Sequence, residues 1–259
     1  MKRIEIGRLP KLNFVSNEAM NTLATNISYC GDNIRTILVT SRYAFEGKSY
    51  MAMNLMRTIA SLQKRVVLLD TDLRCSRLVG NYMMRFPDKE YMGLAQYLAG
   101  MCEIEDIIYE TNVDNGFFIP IGRKVSSSLQ LLSSVRMAAL MKYLADHFEM
   151  VVVDTPPAGI IVDALEVAKY CDGAVLIVGY NRGHRQDVAD VTAAIQKTGC
   201  PVLGAVLNNV DFGTLTSRKY YYRSEKYYSY YHSAYNPYGT GGTKSKHSRK
   251  WFNIGKKDN

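Results

Sequence analysis

The sequence predicts a doubly wound α/β fold, with a mostly parallel sheet and helices on both faces, followed by a tyrosine-rich C-terminal tail that is expected to be disordered. Three observations support this prediction. Short apolar, β-rich runs recur along the first 213 residues, helical periodicities lie between them, and both patterns stop after Asp211. Strands that alternate with helices in this way are typical of a parallel sheet.

The strands are predicted from runs that do not alternate apolar with polar residues. Strands of this kind are buried on both faces, as in the interior of a parallel sheet. We expect five of them: TILV (36–39), VVLL (66–69), MVVV (150–153), AVLIV (174–178) and VLGAVL (202–207).

The helices are predicted from apolar residues spaced three and four apart. An N-terminal helix is expected at about 16–30, on Met20, Leu23 and Ile27. Further helices are expected on Met51, Leu55, Ile59 and Leu62, on Met137, Leu140 and Leu144, and over 184–198, where Gly199 and Pro201 end the pattern.

Charge and composition separate a domain, residues 1–213, from a tail, residues 214–259. The domain holds 22 basic and 22 acidic residues, whereas the tail holds 10 basic and 2 acidic ones and so carries the whole net charge of +8. The tail has only two branched aliphatic residues, Leu215 and Ile254, too few to offset its chain entropy. Because the domain is neutral, a nucleic-acid partner is not expected; a basic tail also suits an anionic membrane surface.

Two classes of protein are excluded by composition. No apolar run approaches the roughly 20 residues that span a bilayer, and the N-terminus lacks the apolar core of a secretory signal. Five scattered cysteines without paired spacing indicate reduced thiols and a cytoplasmic protein rather than a disulfide framework or a zinc site.

A phosphate-binding loop is predicted in TSRYAFEGKSY (40–50), between the first strand and a helix. In such a loop the backbone N–H groups and the helix N-terminus face the phosphates, a lysine adds a positive charge and a hydroxyl binds Mg²⁺. A lone GKS is a weak signal, and Arg42 stands where the full pattern has Gly or Ala. The candidate nucleotide-binding residues are Glu46, Gly47, Lys48, Ser49 and Tyr50.

Three carboxylates follow the ends of two other predicted strands. VVLLDTDLR (66–74) supplies Asp70 and Asp72, and MVVVDTPP (150–157) supplies Asp154. Because the carboxyl ends of parallel strands share one edge, these acids are expected to meet the Lys48 loop there. The alternative, that each aspartate only caps the next helix or turn, is less plausible for three together.

These motifs, in this order, resemble the bacterial tyrosine kinases of capsular and exopolysaccharide synthesis, whose domain is P-loop NTPase-like. The resemblance also covers EAMNTLATNI (18–27), GLAQYLAG (93–100), LQLLSS (129–134) and GAVLNNVD (204–211). It implies an ATP- and Mg²⁺-dependent protein-tyrosine kinase. The implied catalytic residues are Lys48, Asp70, Asp72 and Asp154, and the implied metal ligands are Ser49, Asp70 and Asp154.

The resemblance also suggests finer roles. Asp72 is the best candidate to orient or deprotonate the incoming phenol, although the roles of Asp70 and Asp72 are not separable from sequence. Arg74 pairs either with a phosphate or with a neighbouring carboxylate, two alternatives of equal weight. Asn208 is a candidate adenine contact.

The tail resembles the tyrosine cluster on which this family autophosphorylates. Family resemblance further implies a transmembrane polysaccharide co-polymerase adaptor, self-association, a cognate protein-tyrosine phosphatase, and a cytoplasmic enzyme recruited to the inner face of the membrane. The implied phosphoacceptors are Tyr220, Tyr221, Tyr222, Tyr227, Tyr228, Tyr230, Tyr231, Tyr235 and Tyr238.

Two departures from the family pattern keep alternatives open. Ala44 and Phe45 replace the usual Pro and Gly, and a Phe45 at positive φ would be strained. The family's ExxRxxR motif reads Glu18, Asn21 and Ala24, so the ring-shaped oligomer is not carried over. The alternatives are a partition or cell-division-site ATPase, disfavoured because Tyr43 replaces its signature lysine, and a weakly active or non-catalytic scaffold phosphorylated by others.

Overall fold

The structure, a computed structural model, describes residues 1–210 and consists of an eight-stranded, mostly parallel sheet with a separate two-stranded antiparallel sheet. The strands of the large sheet are β1 (Lys2–Arg3), β3 (Thr36–Ser41), β4 (Val66–Asp70), β6 (Tyr109–Glu110), β7 (Gly116–Ile119), β8 (Met150–Asp154), β9 (Gly173–Gly179) and β10 (Val202–Asn208); the small sheet pairs β2 (Glu5–Ile6) with β5 (Met84–Arg85). The order in the large sheet is β1-β6-β7-β4-β8-β3-β9-β10, and only the β6–β7 pair in it is antiparallel.

Helices cover both faces of the sheet, because the strands send alternate side chains to opposite sides. The helices are α1 (Phe14–Ser28), α2 (Lys48–Ser61), α3 (Leu78–Asn81), α4 (Leu94–Leu98), α5 (Ile104–Ile107), α6 (Ser128–Leu132), α7 (Val135–His147), α8 (Asp163–Ala168) and α9 (Arg185–Gln196). In β3, Ile37 and Val39 pack toward α1 and α2, whereas Leu38 packs toward α4, α7, α8 and α9.

The predicted fold class is confirmed, and the five predicted strands are β3, β4, β8, β9 and β10. The strand β7 was missed, as were the two-residue strands. The run GFFI of β7 begins with glycine and has only one branched aliphatic residue, so it does not match the runs from which the other strands were predicted.

The helix boundaries differ from the prediction at three places. The N-terminal helix begins at Phe14 rather than about 16, because the Asn13 side chain accepts a hydrogen bond from the Ser16 N–H at 2.8 Å and caps the helix. Leu62 was wrongly placed on the buried face: the second helix ends at Ser61, and Leu62 is 57% exposed. The last helix is Arg185–Gln196, shorter than the expected 184–198.

The predictions for the tail, including its nine candidate phosphoacceptor tyrosines and the boundary at residue 213, lie outside the described residues. Within residues 1–210, no helix combines the length and the apolar character needed to cross a membrane.

Candidate active site

The ends of three adjacent strands bring the predicted loop and acids to one edge of the sheet. In the register of β4 with β8, Asp70 stands opposite Asp154, and in the register of β3 with β8, Val39 stands opposite Asp154. The loop 42–47 leaves the same end of β3 and leads into α2 at Lys48. Lys48, Asp70 and Asp154 are therefore neighbours because adjacent parallel strands end together.

The loop turns into α2 at Gly47, which has a φ of +92°. A Cβ atom at this position would lie 2.1 Å from Nδ2 of Asn208, so only glycine fits both the conformation and the space. Lys48, Ser49 and Tyr50 form the first turn of α2, where unpaired N–H groups favour a negatively charged ligand. Lys48 is buried, and Tyr50 is 40% exposed.

Glu46 has a different part in the site from the one expected. Its carboxylate is buried and accepts hydrogen bonds from the backbone N–H groups of Tyr43 and Gly179, both at 2.8 Å. The side chain therefore holds the loop in shape and ties it to β9. Both carboxylate oxygens are engaged, so Glu46 would contact a nucleotide through its backbone only.

Asn208 also contacts the loop. Its side-chain Nδ2 donates to the backbone carbonyl of Glu46 at 2.9 Å, which connects the end of β10 to the phosphate loop. This contact was not expected for a candidate adenine ligand, and it occupies one donor of the amide group.

Arg42 departs from the loop pattern, and its guanidinium makes polar contacts with residues outside the loop. Its Nη1 donates to the carbonyl of Gly159 at 2.7 Å, and its Nε lies 3.6 Å from a carboxylate oxygen of Asp187. Gly159 has no Cβ, which leaves room for this side chain.

Asp70 is fully buried at the end of β4. One carboxylate oxygen accepts from the Asp72 N–H at 3.2 Å, and the other accepts from the Ser76 hydroxyl. Burial raises the pKa of Asp70 well above its ordinary value, and the negative charge of Asp154 raises it further. Without a cation at this edge, the buried carboxylates therefore tend to retain a proton.

Asp154 is buried on the neighbouring strand, and its Oδ1 has no hydrogen-bond partner among the described residues. Burial raises the pKa of Asp154 to about 7, while the Ser49 hydroxyl and the Lys48 charge act to lower it. Burial likewise lowers the pKa of Lys48, against the opposite influence of nearby carboxylates, Asp154 foremost. A buried carboxylate oxygen without a hydrogen-bond partner has the chemistry to bind a cation.

Mg²⁺ fits this edge of the sheet. The ion prefers oxygen ligands and is usually held by one or two carboxylates together with substrate phosphates and water. Asp154 Oδ1 and the Ser49 hydroxyl would hold it here. The remaining ligands would come from the phosphates of a nucleotide and from water.

Asp72 differs from the two buried acids because it is partly exposed. Its Oδ1 accepts from the Cys75 N–H at 2.9 Å, which is the turn-capping contact considered as the alternative for all three acids. Its charge affects Lys48, Asp70 and Asp154, so it lies near the same edge.

Arg74 pairs with a carboxylate, one of its two predicted alternatives. Its Nε donates to Asp163 Oδ2 at 3.1 Å and lies 2.7 Å from the Ser128 hydroxyl. Asp163 is buried, and its other oxygen lacks a partner among the described residues. Ser128 and Asp163 were not predicted from the sequence, since neither stands in a recognisable motif and only the fold brings α6 and α8 to Arg74.

We expect the Arg74→Met substitution to lower the free energy of unfolding by about 1–2 kcal/mol, because it leaves the buried Asp163 charge without its cation. Arg85→Met is a matched control: Arg85 pairs with Glu5 at 3.4 Å on the surface, and its loss should cost less than about 0.5 kcal/mol. Urea unfolding of both variants measures the difference. Equal losses would contradict the structural role of Arg74.

Phe45 is strained, as predicted for a phenylalanine at the family's glycine position. Its φ is +63°, in the left-handed region that favours glycine, and the side chain is 69% exposed. Little burial is available to offset this strain.

We expect Phe45→Gly to raise the free energy of unfolding by about 0.5–1 kcal/mol. The relief of backbone strain should stabilise the folded chain by more than the greater chain entropy of glycine destabilises it. Gln63 has the same φ of 63° at the far end of α2, so Gln63→Gly calibrates the backbone contribution. Thermal unfolding of both variants provides the test. A destabilised Phe45→Gly beside a stabilised Gln63→Gly would show that the Phe45 ring supports the fold.

Comparison with known proteins shows which family this chain resembles. Residues 34–178 match the AAA domain family. The chain is 30% identical over 213 residues to the tyrosine-protein kinase CpsD of Streptococcus pneumoniae serotype 4, covering 82% of this chain and 92% of that protein.

Two solved structures show the same fold. The kinase domain of the Escherichia coli tyrosine kinase ETK superposes with a TM-score of 0.70 at 24% identity, covering 78% of this chain and 82% of that one. The septum site-determining protein MinD of Pyrococcus horikoshii, complexed with Mg-ADP, has a TM-score of 0.56 at 23% identity, covering 67% and 69%. The phosphate loop, the acids at the strand ends and the similarity over most of the chain lead to one assignment: this chain belongs to the family of bacterial tyrosine-protein kinases.

Proposed function

We propose that the protein transfers the γ-phosphoryl group of ATP to tyrosines in the C-terminal tail of a second copy and thereby regulates the synthesis and export of a capsular or exopolysaccharide. Because it belongs to the tyrosine-protein kinases, the chain is an enzyme of the non-specific protein-tyrosine kinase type. The observation that carries the proposal is the meeting of Lys48, Asp70 and Asp154 at one sheet edge.

The phosphate loop and the first turn of α2 bind the triphosphate. The N–H groups of the first turn of α2 and the Lys48 ammonium face the phosphates, where they compensate the negative charge that phosphoryl transfer redistributes. Bound Mg²⁺ would supply further neutralisation of this charge. The burial of Lys48 strengthens its interaction with a phosphate, since less solvent screens it.

The positions of the aspartates suggest separate roles. Asp154, whose Oδ1 has no partner in the described chain, and Ser49 are assigned to the metal. Asp70 is enclosed and bonded to Ser76, so we assign it to the support of this site and to the metal through water. Asp72 is partly exposed and is assigned to accept the proton of the incoming phenol.

The acceptors are the nine tyrosines between Tyr220 and Tyr238. Each phosphate would add about −1.5 to −2 charges to a tail of net charge +8, so several would reverse its sign. We further propose a cytoplasmic protein that a transmembrane co-polymerase adaptor recruits to the membrane, and a phosphatase that resets the tail. The charge reversal would then release the tail from an acidic partner or an anionic surface.

One alternative function has support from a specific observation. The strained, exposed Phe45 suits a loop that binds nucleotide without efficient transfer, as in a scaffold that other kinases phosphorylate. An ATPase of the cell-division type is less well supported, because Tyr43 occupies the position of its signature lysine.

The deciding experiment mixes the purified chain with Mg-ATP and maps phosphotyrosine by mass spectrometry, with and without the adaptor's cytoplasmic segment. A Lys48→Met chain serves as the acceptor, so phosphate on its tail must come from another molecule. Phosphate on that acceptor supports the kinase in trans. ATP hydrolysis without phosphotyrosine supports the ATPase, and phosphate only after addition of a foreign kinase supports the scaffold.

A further inference from the structure

The ring of Phe45 is the most conspicuous apolar feature next to the phosphate loop. It stands two residues before Gly47, three before Lys48, and is 69% exposed despite its left-handed backbone. The guanidinium of Arg77 lies over the ring, 5.3 Å from its centroid. A residue that is both strained and exposed beside a reaction site is better explained by binding than by folding.

Other aromatic residues surround the same loop. Tyr43 stands under the Arg42 guanidinium at 5.3 Å, and Tyr50 is 40% exposed on the first turn of α2. Three aromatic rings thus lie within eight residues around Lys48. Aromatic rings prefer offset-stacked or edge-to-face partners, and an arginine over one ring adds a cation–π contact that fixes its orientation.

We propose that Phe45, backed by Arg77, is a stacking platform that binds a tyrosine ring of the segment 220–238 of a second copy. This inference rests on the proposed kinase activity, which it deepens by naming a residue that selects tyrosine-rich acceptors. The platform holds one ring of the segment while a neighbouring tyrosine occupies the position for transfer.

The composition and length of the segment argue for this occupant. Each of its nine tyrosines has another tyrosine within four residues, so a second ring is always available for the platform. Tyr220 follows the described chain by ten residues, which can span up to about 33 Å when extended. That reach is comparable to the diameter of a small domain, which is long enough for the segment to meet a second copy beside its own domain.

The test uses full-length chains. The enzyme carries serine in place of the nine tail tyrosines, and the acceptor is the Lys48→Met chain with its tail intact. Phe45→Leu keeps the Cβ atom and therefore the backbone strain but removes the aromatic face. We expect it to raise the KM for the acceptor by about 3- to 10-fold, with a much smaller change in the KM for ATP.

Three further variants make the result specific. Phe45→Tyr keeps the aromatic face and should restore an acceptor KM close to that of the enzyme with Phe45. Tyr29→Leu likewise replaces an aromatic ring by leucine, at a residue 81% exposed just beyond the end of α1, and should leave the KM unchanged. An Arg77→Gln variant should also raise the KM for the acceptor, as Phe45→Leu does.

A binding measurement separates the platform from the proposed activity. A fluorescent peptide of residues 220–238 is titrated without ATP, and Phe45→Leu should weaken its binding by the same 3- to 10-fold factor. If the wild-type chain transfers no phosphate but shows this difference, the activity is wrong and the platform stands. The platform is overturned if the peptide does not bind, if Phe45→Leu binds it equally well, or if that variant changes only the KM for ATP.

Discussion

Replacing Lys48 with methionine is expected to lower tail phosphorylation by about 100-fold or more, the effect of removing one preorganised charge from a phosphoryl-transfer site. Lys48 is buried at the start of α2, and its charge lies among the carboxylates of Asp154, Asp72 and Glu46. Methionine has a similar length and fills the same space without the charge. The fold should therefore survive while the triphosphate loses its cation.

The rate of phosphotyrosine formation measures this effect, and circular dichroism checks that the variant is folded. Lys142→Met, at an exposed lysine of α7, is the matched control and should retain full activity. Phosphorylation that persists at more than a tenth of the normal rate in Lys48→Met would contradict the assignment of the loop as the triphosphate site.

The Asp154→Asn substitution is expected to have opposite effects on activity and on stability. Removing the carboxylate assigned to the metal should lower Mg²⁺-dependent phosphorylation by roughly 100-fold. At pH 8, however, the same change should raise the free energy of unfolding of the ligand-free chain by on the order of 1 kcal/mol. The reason is that Asp154 is buried, its Oδ1 has no partner in the described chain, and Asp70 stands opposite it.

The raised pKa of Asp154 determines how the stability of the chain changes with pH. The pKa of Asp154 is about 7 in the folded chain and 3.8 in its ordinary state, so folding strengthens its proton binding. Its contribution to stability is fully present below pH 4 and is lost as the pH rises through about 7. Asparagine does not titrate, so the fall in stability between pH 5 and 8 should become smaller; it should not vanish, because the pKa of Asp70 is also raised.

Urea unfolding at pH 5 and pH 8, without nucleotide or Mg²⁺, measures this difference. Asp146→Asn, at an exposed aspartate of α7, is the control and should change neither stability nor its pH dependence appreciably. If the ligand-free Asp154→Asn chain is less stable than the wild type at pH 8, the buried Asp154 carboxylate does not destabilise the chain in the absence of a cation, and the prediction is wrong.

The interior of the sheet could be predicted from the sequence because its strands are buried on both faces. Runs such as VVLL and MVVV are rich in branched aliphatic residues and favour buried strands, and their carboxyl ends place Asp70 and Asp154 side by side. The strand β7 could not be found in this way, because its run GFFI begins with glycine and has only one branched aliphatic residue. Leu62 matched the helical spacing but lies beyond the helix end, since periodicity does not specify where a helix stops.

The site was predictable where chemistry depends on residue type and strand order, and less so where it depends on side-chain contacts. The strain at Phe45 followed from a pattern that places glycine at its position. The engagement of Glu46 with two backbone N–H groups, and of Asn208 with the loop, depends on the approach of β9 and β10 to the loop. The Asp163 partner of Arg74 is 89 residues away and carries no local signal.

The central claim is that the Lys48 loop and the acids at 70, 72 and 154 surround a single magnesium-bound triphosphate. Calorimetric titration of the full chain with ADP, once with Mg²⁺ and once with EDTA, tests it most directly. The account predicts one site per chain whose affinity falls by about tenfold or more in EDTA, and a loss of that site in Lys48→Met. No detectable binding, or equal affinity in Mg²⁺ and EDTA, would contradict it.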